Sequence, residues 1–265
     1  MNGCRFCGNT TTKKKIGCGP ATKPEWGRWH CNGCGSFGYI DNPGVDDLGR
    51  IYETAWQDTD RSGAFAAGST DLKIARSLLD AINFDTSQSH CLDYGGGRGV
   101  LAQALVDRGC KSLTVFEPFG QNPGLPESVS WVNDLALIQQ QKYDLILMVE
   151  VLEHLLDPVD ELKKIRELLS PGGKLVITTP NARGWRARID GFKWREVQNP
   201  THINLFSSRS LQAVLREAGY MFTKRVQRPV TYRAKGLKAV ALTITQILGV
   251  DGGLRFIAAT DGEGC

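Results

Sequence analysis

Cys4, Cys7, Cys31 and Cys34 form two C-x-x-C pairs with 23 residues between Cys7 and Cys31. A two-residue gap lets both thiolates of a pair reach one ion, and two such knuckles supply the four sulfur ligands of a tetrahedral structural zinc site. Gly8 and Gly35 follow the pairs and suit the tight turns. A redox C-x-x-C fits less well, because the motif occurs twice with no thioredoxin-like unit around it. Cys18 and His30 are substitute ligands within reach of the same segment. A closed four-cysteine site has no open position for catalysis, so this module is expected to serve structure or substrate docking.

A second constellation is Asp93-Tyr94-Gly95-Gly96-Gly97-Arg98-Gly99, between a short apolar run and a helical pattern. Glycines let a backbone approach a ligand closely, and the following helix offers free N–H groups. Gly97-x-Gly99-x-x-Ala102 loosely satisfies the dinucleotide fingerprint, and Glu117 lies 18 residues after Gly99, where a carboxylate would bind ribose hydroxyls. Together they indicate an adenosine-containing cofactor without choosing which.

These residues need a frame. The chain has 265 residues, 41% apolar and 23% charged, the composition of a soluble globular protein of one or two domains. No apolar run reaches the ~18 residues of a membrane span, and the N-terminus lacks the apolar stretch of a signal peptide. Cytoplasmic residence is the expectation. Residues 1–40 carry too few aliphatic residues to hold together by apolar burial, and 41–70 read as a connector with aromatics Tyr52, Trp56 and Phe65.

From residue 71 helix and strand alternate. Asp71 caps a helix through Ile82. Strands are expected at His90–Asp93, Leu113–Phe116, Ser130–Val132, Tyr143–Val149 and Lys174–Thr179. A helix over Val159–Leu169 is stopped by Ser170-Pro171-Gly172-Gly173, and Ser207 or Ser208 caps another to Ala218. Strands near Met221–Val226 and Leu254–Ala259 close the domain, and the apolar helix Leu237–Leu248 between them is expected to be covered by core. This alternation predicts an α/β fold with a doubly wound, mostly parallel sheet, whose ligands bind at the strands' carboxyl ends at the switch point.

Glu150-Val151-Leu152-Glu153-His154-Leu155-Leu156-Asp157-Pro158 follows the strand Tyr143–Val149. Leu169-Ser170-Pro171-Gly172-Gly173-Lys174-Leu175 and Thr178-Thr179-Pro180-Asn181 come next. With Asp93 and the glycines, this ordered set resembles the class I S-adenosylmethionine-dependent methyltransferases over roughly residues 70–260. Within them it is similar to the ubiquinone-biosynthesis-like O-methyltransferases and their relatives in sugar and polysaccharide pathways. The resemblance implies a seven-stranded Rossmann-like sheet. It implies that Asp93 holds the methionine end of the cofactor and that Gly95, Gly97 and Gly99 cradle it. Glu117 would bind the ribose diol, Pro118 and Phe119 flank the adenine, Asp134 contact the adenine amino group, and Glu150 and Val151 sit beside the reacting centre. Sugar C-methyltransferases carry a similar cysteine module ahead of the methyltransferase domain, with a further C-terminal domain that is not expected in this sequence. The loop at Glu150 lacks the Asn/Asp-Pro-Pro-aromatic signature of enzymes that methylate adenine bases.

Two histidines qualify as general bases for a hydroxyl acceptor, since an imidazole titrates near neutrality. His154 follows Glu153, and His202 lies in Pro200-Thr201-His202-Ile203-Asn204, which resembles a segment that closes the site in this family. A structural hydrogen-bonding role is the alternative for each, and Glu150 or Glu153 with His154 could hold a divalent ion. Residues 183–238 hold 13 Lys/Arg against three acids. Within it Arg183, Trp185, Arg186, Arg188, Phe192, Lys193, Trp194 and Arg195 follow the fifth strand and read as a basic, aromatic lid over the cofactor site for an anionic, phosphorylated acceptor such as a nucleotide-linked sugar or glycan precursor, with a solvated basic loop as the alternative. RNA, held by the ribbon and this stretch together with Lys13-Lys14-Lys15, is the rival partner. A non-catalytic cofactor-binding relative is the rival function.

Overall fold

The computed structural model describes residues 3–9, 12–15, 26–41, 43, 44, 46, 49, 69–226 and 236–260. Cys18, Tyr52, Trp56 and Phe65, and with them most of the expected connector, lie outside the described residues.

The main sheet has seven strands in the order β10-β11-β8-β7-β4-β5-β6. These are β4 His90–Tyr94, β5 Ser112–Phe116, β6 Val129–Val132, β7 Tyr143–Val149, β8 Leu169–Pro180, β10 Phe222–Arg225 and β11 Gly253–Ala259. β6, β5, β4, β7 and β8 run parallel, while β11 and β10 are antiparallel to their neighbours. Strand order reverses between β4 and β7, so their carboxyl ends part and leave a crevice. β4 and β7 read as apolar runs because both faces are covered. Leu92, Ile146 and Met148 face one cluster, and Cys91, Leu145 and Leu147 the other.

Local signals explain the helices. α1, Thr70–Ile82, buries Leu72, Leu78, Leu79 and Ile82. Its cap is Ser69, whose hydroxyl accepts the Leu72 N–H; Asp71, the expected cap, sits in the first turn and pairs with Arg98 instead. α2, Val100–Asp107, starts from Gly99 in the left-handed conformation. The short α3, Leu135–Ile138, is capped by Asp134. α4, Pro158–Leu168, is capped by Asp157. The Ser170–Gly173 stretch, expected as a stop, is absorbed into β8 as a bulge against β7, with Gly172 at φ 74°. After β8 come α5 Trp185–Asp190 and α6 Arg195–Gln198, then α7 Ser208–Glu217.

α8, Leu237–Ile247, departs from expectation. Leu237, Val240, Ile244 and Ile247 are exposed among the described residues, and Gln246 is its buried side chain. The helix joins two antiparallel neighbours, and such a link, unlike a parallel crossover, need not lie on the sheet. No helix among the described residues is long and apolar enough to cross a membrane.

A second sheet has the order β1-β2-β3-β9, from Thr12–Lys15, Arg28–Cys31, Phe37–Tyr39 and Asn204–Leu205. The N-terminal module therefore completes its sheet with two residues from the far end of the chain. A hydroxyl chain adds to the join: Ser36 donates to Ser210 over 2.7 Å, and Ser210 closes the capping box of α7 with Ser207. All three are buried. Ser210→Ala removes the cap partner and the acceptor of the Ser36 hydroxyl, which keeps Cys34 Sγ at 3.3 Å, so we expect a loss of about 2 kcal/mol in stability, read as a lower urea midpoint at unchanged m-value.

Candidate functional site

The turn after β4 is shaped by its glycines. Gly95, Gly97 and Gly99 have φ of 79°, 55° and 73°, the left-handed region that side chains with a Cβ rarely adopt. A Cβ on Gly95 would lie 2.6 Å from Val151, and one on Gly96 2.2 Å from Val115. The loop thus stays open above and tightly packed below. Beneath it Asp93 is buried, and its Oδ2 has no hydrogen-bond partner. Burial, reinforced by the charge of Glu117, pushes its carboxyl up to about 7. Glu117, just past β5, accepts the Gly97 N–H on Oε2 at 2.8 Å and the Phe119 N–H on Oε1 at 3.1 Å.

A cavity of about 530 Å³ lies at the carboxyl ends of β4, β5 and β7. Gly95, Gly97, Glu117, Pro118, Phe119, Glu150, Val151 and His154 line it, together with Tyr94, Phe116, Leu155 and Leu156, which the motifs did not single out. Asp93 and Gly99 lie behind the lining. Asp134 is not part of the wall, and its Oδ1 accepts the Ala136 N–H as the α3 cap. The cap engages one oxygen of an exposed carboxylate. Glu150 is one of two non-glycine residues with positive φ among the described residues, at 57°. That costs of order 1 kcal/mol and is tolerated where the surroundings over-determine it. Here the Glu150 N–H donates to Thr178 C=O and the Thr178 hydroxyl donates to the carboxylate at 2.9 Å. The carboxyl is reachable through the open cavity yet ringed by protein atoms, which push it upward.

Glu153, His154 and His202 come together behind this wall. Their ligand atoms lie within 4.8 Å of one another, a grouping able to hold a cation. The two imidazoles meet edge to face, centroids 4.8 Å apart. Only His154 of the three reaches the cavity; its Nδ1 is 3.0 Å from Thr201 C=O, which fixes the proton there. Glu153 is wholly buried. Thr179 donates to its Oε2, Oε1 lacks a partner, and burial with the nearby Glu150 raises its carboxyl well above the ordinary range. His202 is buried, with Nδ1 3.3 Å from Glu196 Oε2 but off the hydrogen-bonding direction. Burial depresses it strongly, with His154, Arg28 and Arg195 acting the same way.

Arg28, on β2, is an element the motifs gave no reason to single out. It is wholly buried, its guanidinium donates to the carbonyls of His202 (2.6 Å) and Asn199 (3.0 Å), and it stacks 3.4 Å from the Tyr39 ring centroid. The ribbon thereby grips the segment that presents His202. From the other side the Ile203 N–H donates to Glu153 C=O at 2.8 Å, and the Asn204 amide donates to Leu155 C=O at 2.6 Å.

In the ribbon, the sulfurs of Cys4, Cys7, Cys31 and Cys34 lie within 4.8 Å of one another, with Cys4–Cys34 and Cys7–Cys31 each at 3.7 Å. A tetrahedral ion with sulfurs at about 2.3 Å separates them by about 3.8 Å, so the spacing fits zinc. Gly8 and Gly35, at φ 69° and 80°, close equivalent turns onto the carbonyls of Cys4 and Cys31. His30 is outside the group and packs on Phe37 at 4.3 Å.

Comparison with known proteins agrees with this architecture. Residues 67–224 match the family described as "Methyltransferase domain", and the chain belongs to that family. Among curated proteins it is similar to the ubiquinone biosynthesis O-methyltransferase of Cereibacter sphaeroides, 27% identical over 146 residues, which are 48% of this chain and 58% of that protein. It is also similar to the protein of the same name from Xanthomonas oryzae pv. oryzae, 31% identical over 108 residues, 37% of this chain and 45% of that one. The chain thus spans under three-fifths of the length of these relatives. In structure it resembles the 1,6-didemethyltoxoflavin-N1-methyltransferase of Burkholderia thailandensis, solved with its namesake substrate and S-adenosylhomocysteine. The TM-score is 0.55 at 15% identity, covering 85% of this chain and 96% of that one; at that identity the likeness concerns the fold.

His154 is pushed down to about 4 by burial. A histidine whose folded value lies below its unfolded 6.5 makes the unfolded state the better proton binder between the two values, so stability falls as pH drops through that window. We expect His154 alone to contribute a loss of about 2 kcal/mol between pH 7 and 5, with His202 adding in the same direction. Chemical denaturation of His154→Gln at the two pH values checks this, and its pH slope should be shallower than wild type's.

Proposed function

We propose that the protein binds S-adenosylmethionine in the cavity at the carboxyl ends of β4, β5 and β7 and transfers its methyl group to a small anionic acceptor. The observation that carries this reading is the orphaned, buried Asp93 oxygen beneath an open glycine turn, with the Glu117 carboxylate at the far side of the same turn. A buried carboxylate oxygen without a partner is costly. A cationic ligand removes that cost, and S-adenosylmethionine carries an ammonium at one end and a ribose diol suited to Glu117 in its middle. Pro118 and Phe119, on the wall beyond Glu117, offer apolar surface to an adenine. The family membership and the printed names of the relatives point the same way.

When bound, the cofactor supplies an activated methyl on a sulfonium, and the transfer is an in-line displacement. The protein's task is then alignment, exclusion of water and, for a hydroxyl acceptor, removal of a proton. His154 is the residue placed for the last task, since it is the imidazole that faces the cavity; it is neutral at physiological pH because burial disfavours its charged form. Glu153 and His202 act behind it, fixing its position. A divalent ion among these three remains the alternative use of the group. We assign zinc to Cys4, Cys7, Cys31 and Cys34, where it would order a ribbon too poor in aliphatic residues to order itself, in a compartment that keeps thiols reduced. The reading favours a metabolite over RNA, because the cavity is of small-molecule size.

Isothermal titration with S-adenosylmethionine tests the cofactor assignment. Asp93→Asn should weaken binding by roughly tenfold or more. Since the Asp93 carboxyl must be ionised to meet a cation and its value is raised to about 7, wild-type affinity should fall as pH drops below 7, and the variant should lose that dependence. Unchanged affinity in Asp93→Asn overturns the placement. For the metal, elemental analysis should give about one zinc per chain, lost in Cys31→Ser; protein purified without chelator and found free of metal contradicts the assignment.

A further inference from the structure

A second cavity, of about 520 Å³, lies between the ribbon and the segment after β8. It shares no residue with the first. One wall is His30, Asn32 and Gly35 of the ribbon; the other is formed by Arg183, Arg188 and Phe192. We propose that this cavity binds a nucleoside diphosphate, the handle of the acceptor that is methylated in the first cavity. The inference rests on the methyl-transfer reading above and adds the substrate class to it.

The charge pattern selects the ligand. Two guanidinium groups line the cavity, and among the described residues no carboxylate does. Neither arginine is in an ion pair among the described residues. Arg188 uses its Nε on Arg183 C=O at 3.0 Å, which sets the side chain and leaves the terminal nitrogens of its fork for an anion. Gly35 is the seat of Arg183: a Cβ there would fall 2.7 Å from the Arg183 Cγ, at a φ of 80° that disfavours any other residue. Two guanidiniums in one cavity match the paired charges of a diphosphate better than a single carboxylate.

The ring pattern selects the rest of it. Phe37 forms a buried floor, His30 packs against it at 4.3 Å, and Phe192 stands nearly perpendicular at 5.7 Å. These faces suit a planar base, and the exposed Asn32 amide at the rim offers both donor and acceptor to a base edge. The volume is that of a nucleotide-sized ligand. A bound RNA would call for a basic track along an extended groove rather than two cations in one cavity of about 520 Å³.

The two cavities are mechanically connected. The floor belongs to a cluster containing Phe37, Trp194, Val197 and Leu205. Val197 and Leu205 bracket the segment that carries His202, which leans on His154 in the wall of the first cavity. A handle held here would contribute binding far from the reacting atoms and spend it on alignment.

The test is calorimetry of the intact protein with uridine diphosphate, uridine and pyrophosphate, each with and without saturating S-adenosylhomocysteine so that the first cavity is blocked. Uridine diphosphate should bind under both conditions, with uridine and pyrophosphate each weaker by about tenfold or more. The double variant Arg183→Ala/Arg188→Ala should lose roughly tenfold or more for uridine diphosphate while binding S-adenosylhomocysteine as wild type does, which also shows that it folds. Uridine diphosphate that fails to bind, or that is displaced by S-adenosylhomocysteine, overturns the proposal. So does affinity unaltered in the double variant, or a single-stranded RNA oligomer that binds more tightly than uridine diphosphate through the same arginines. If S-adenosylhomocysteine itself does not bind, the methyl-transfer reading fails, and the titration without it still decides whether the cavity takes the nucleotide.

Discussion

A guanidinium with no access to water must find its partners inside the protein, and the wholly buried Arg28 finds them across a boundary of the chain. Its donors go to the carbonyls of Asn199 and His202, and its face to Tyr39. Leaving such a charge unsatisfied would cost several kcal/mol, so the ribbon and the 199–205 segment hold each other in one arrangement. The β3–β9 pairing and the Ser36–Ser210–Ser207 chain run through the same junction. The ribbon supplies too little apolar area to fold by burial, and the segment after α6 has only two residues of strand. Each is ordered by the other.

The consequence reaches the candidate site. The ribbon-bound segment also hydrogen-bonds the turn after β7, through Ile203 to Glu153 and Asn204 to Leu155. That turn supplies Glu150, Val151 and His154 to the cavity. The β4 and β5 ends supply the other half, through the glycine turn and Glu117. One half of the site is therefore fixed by the parallel sheet itself, and the other half by contacts that depend on the N-terminal module. A structural metal in that module would act on the site at a distance, through packing and hydrogen bonds and with no part in the chemistry.

What the sequence discloses follows the same division. Asp93, Gly95, Gly97, Glu117, Glu150 and Val151 stand next to strand ends, which a doubly wound sheet gathers in one place; spacing alone singles out the glycine turn and Glu117, and the resemblance to methyltransferases adds Asp93, Glu150 and Val151. The C-x-x-C spacing likewise encodes its own geometry. Arg28 gives no such signal: a single arginine between two tryptophans reads as a surface residue until the pairing partner 170 residues away is known. Asp134 matches a motif position and also caps a helix through one carboxylate oxygen, a local role that the motif does not disclose. The helix after β10 misleads because apolar content alone implies a covering that an antiparallel link does not require. The lid read from the basic, aromatic stretch becomes one wall of a second cavity, and its opposite wall comes from the ribbon.

The central claim is that the ribbon and the cavity wall form one ordered unit. Amide hydrogen exchange on the metal-loaded and metal-stripped protein tests it most directly. The account predicts that stripping speeds exchange at Ile203 and across residues 152–156, while amides of β4 and β5 keep their protection. Unchanged protection at Ile203 and 152–156 in a protein whose ribbon amides have become fast would contradict it.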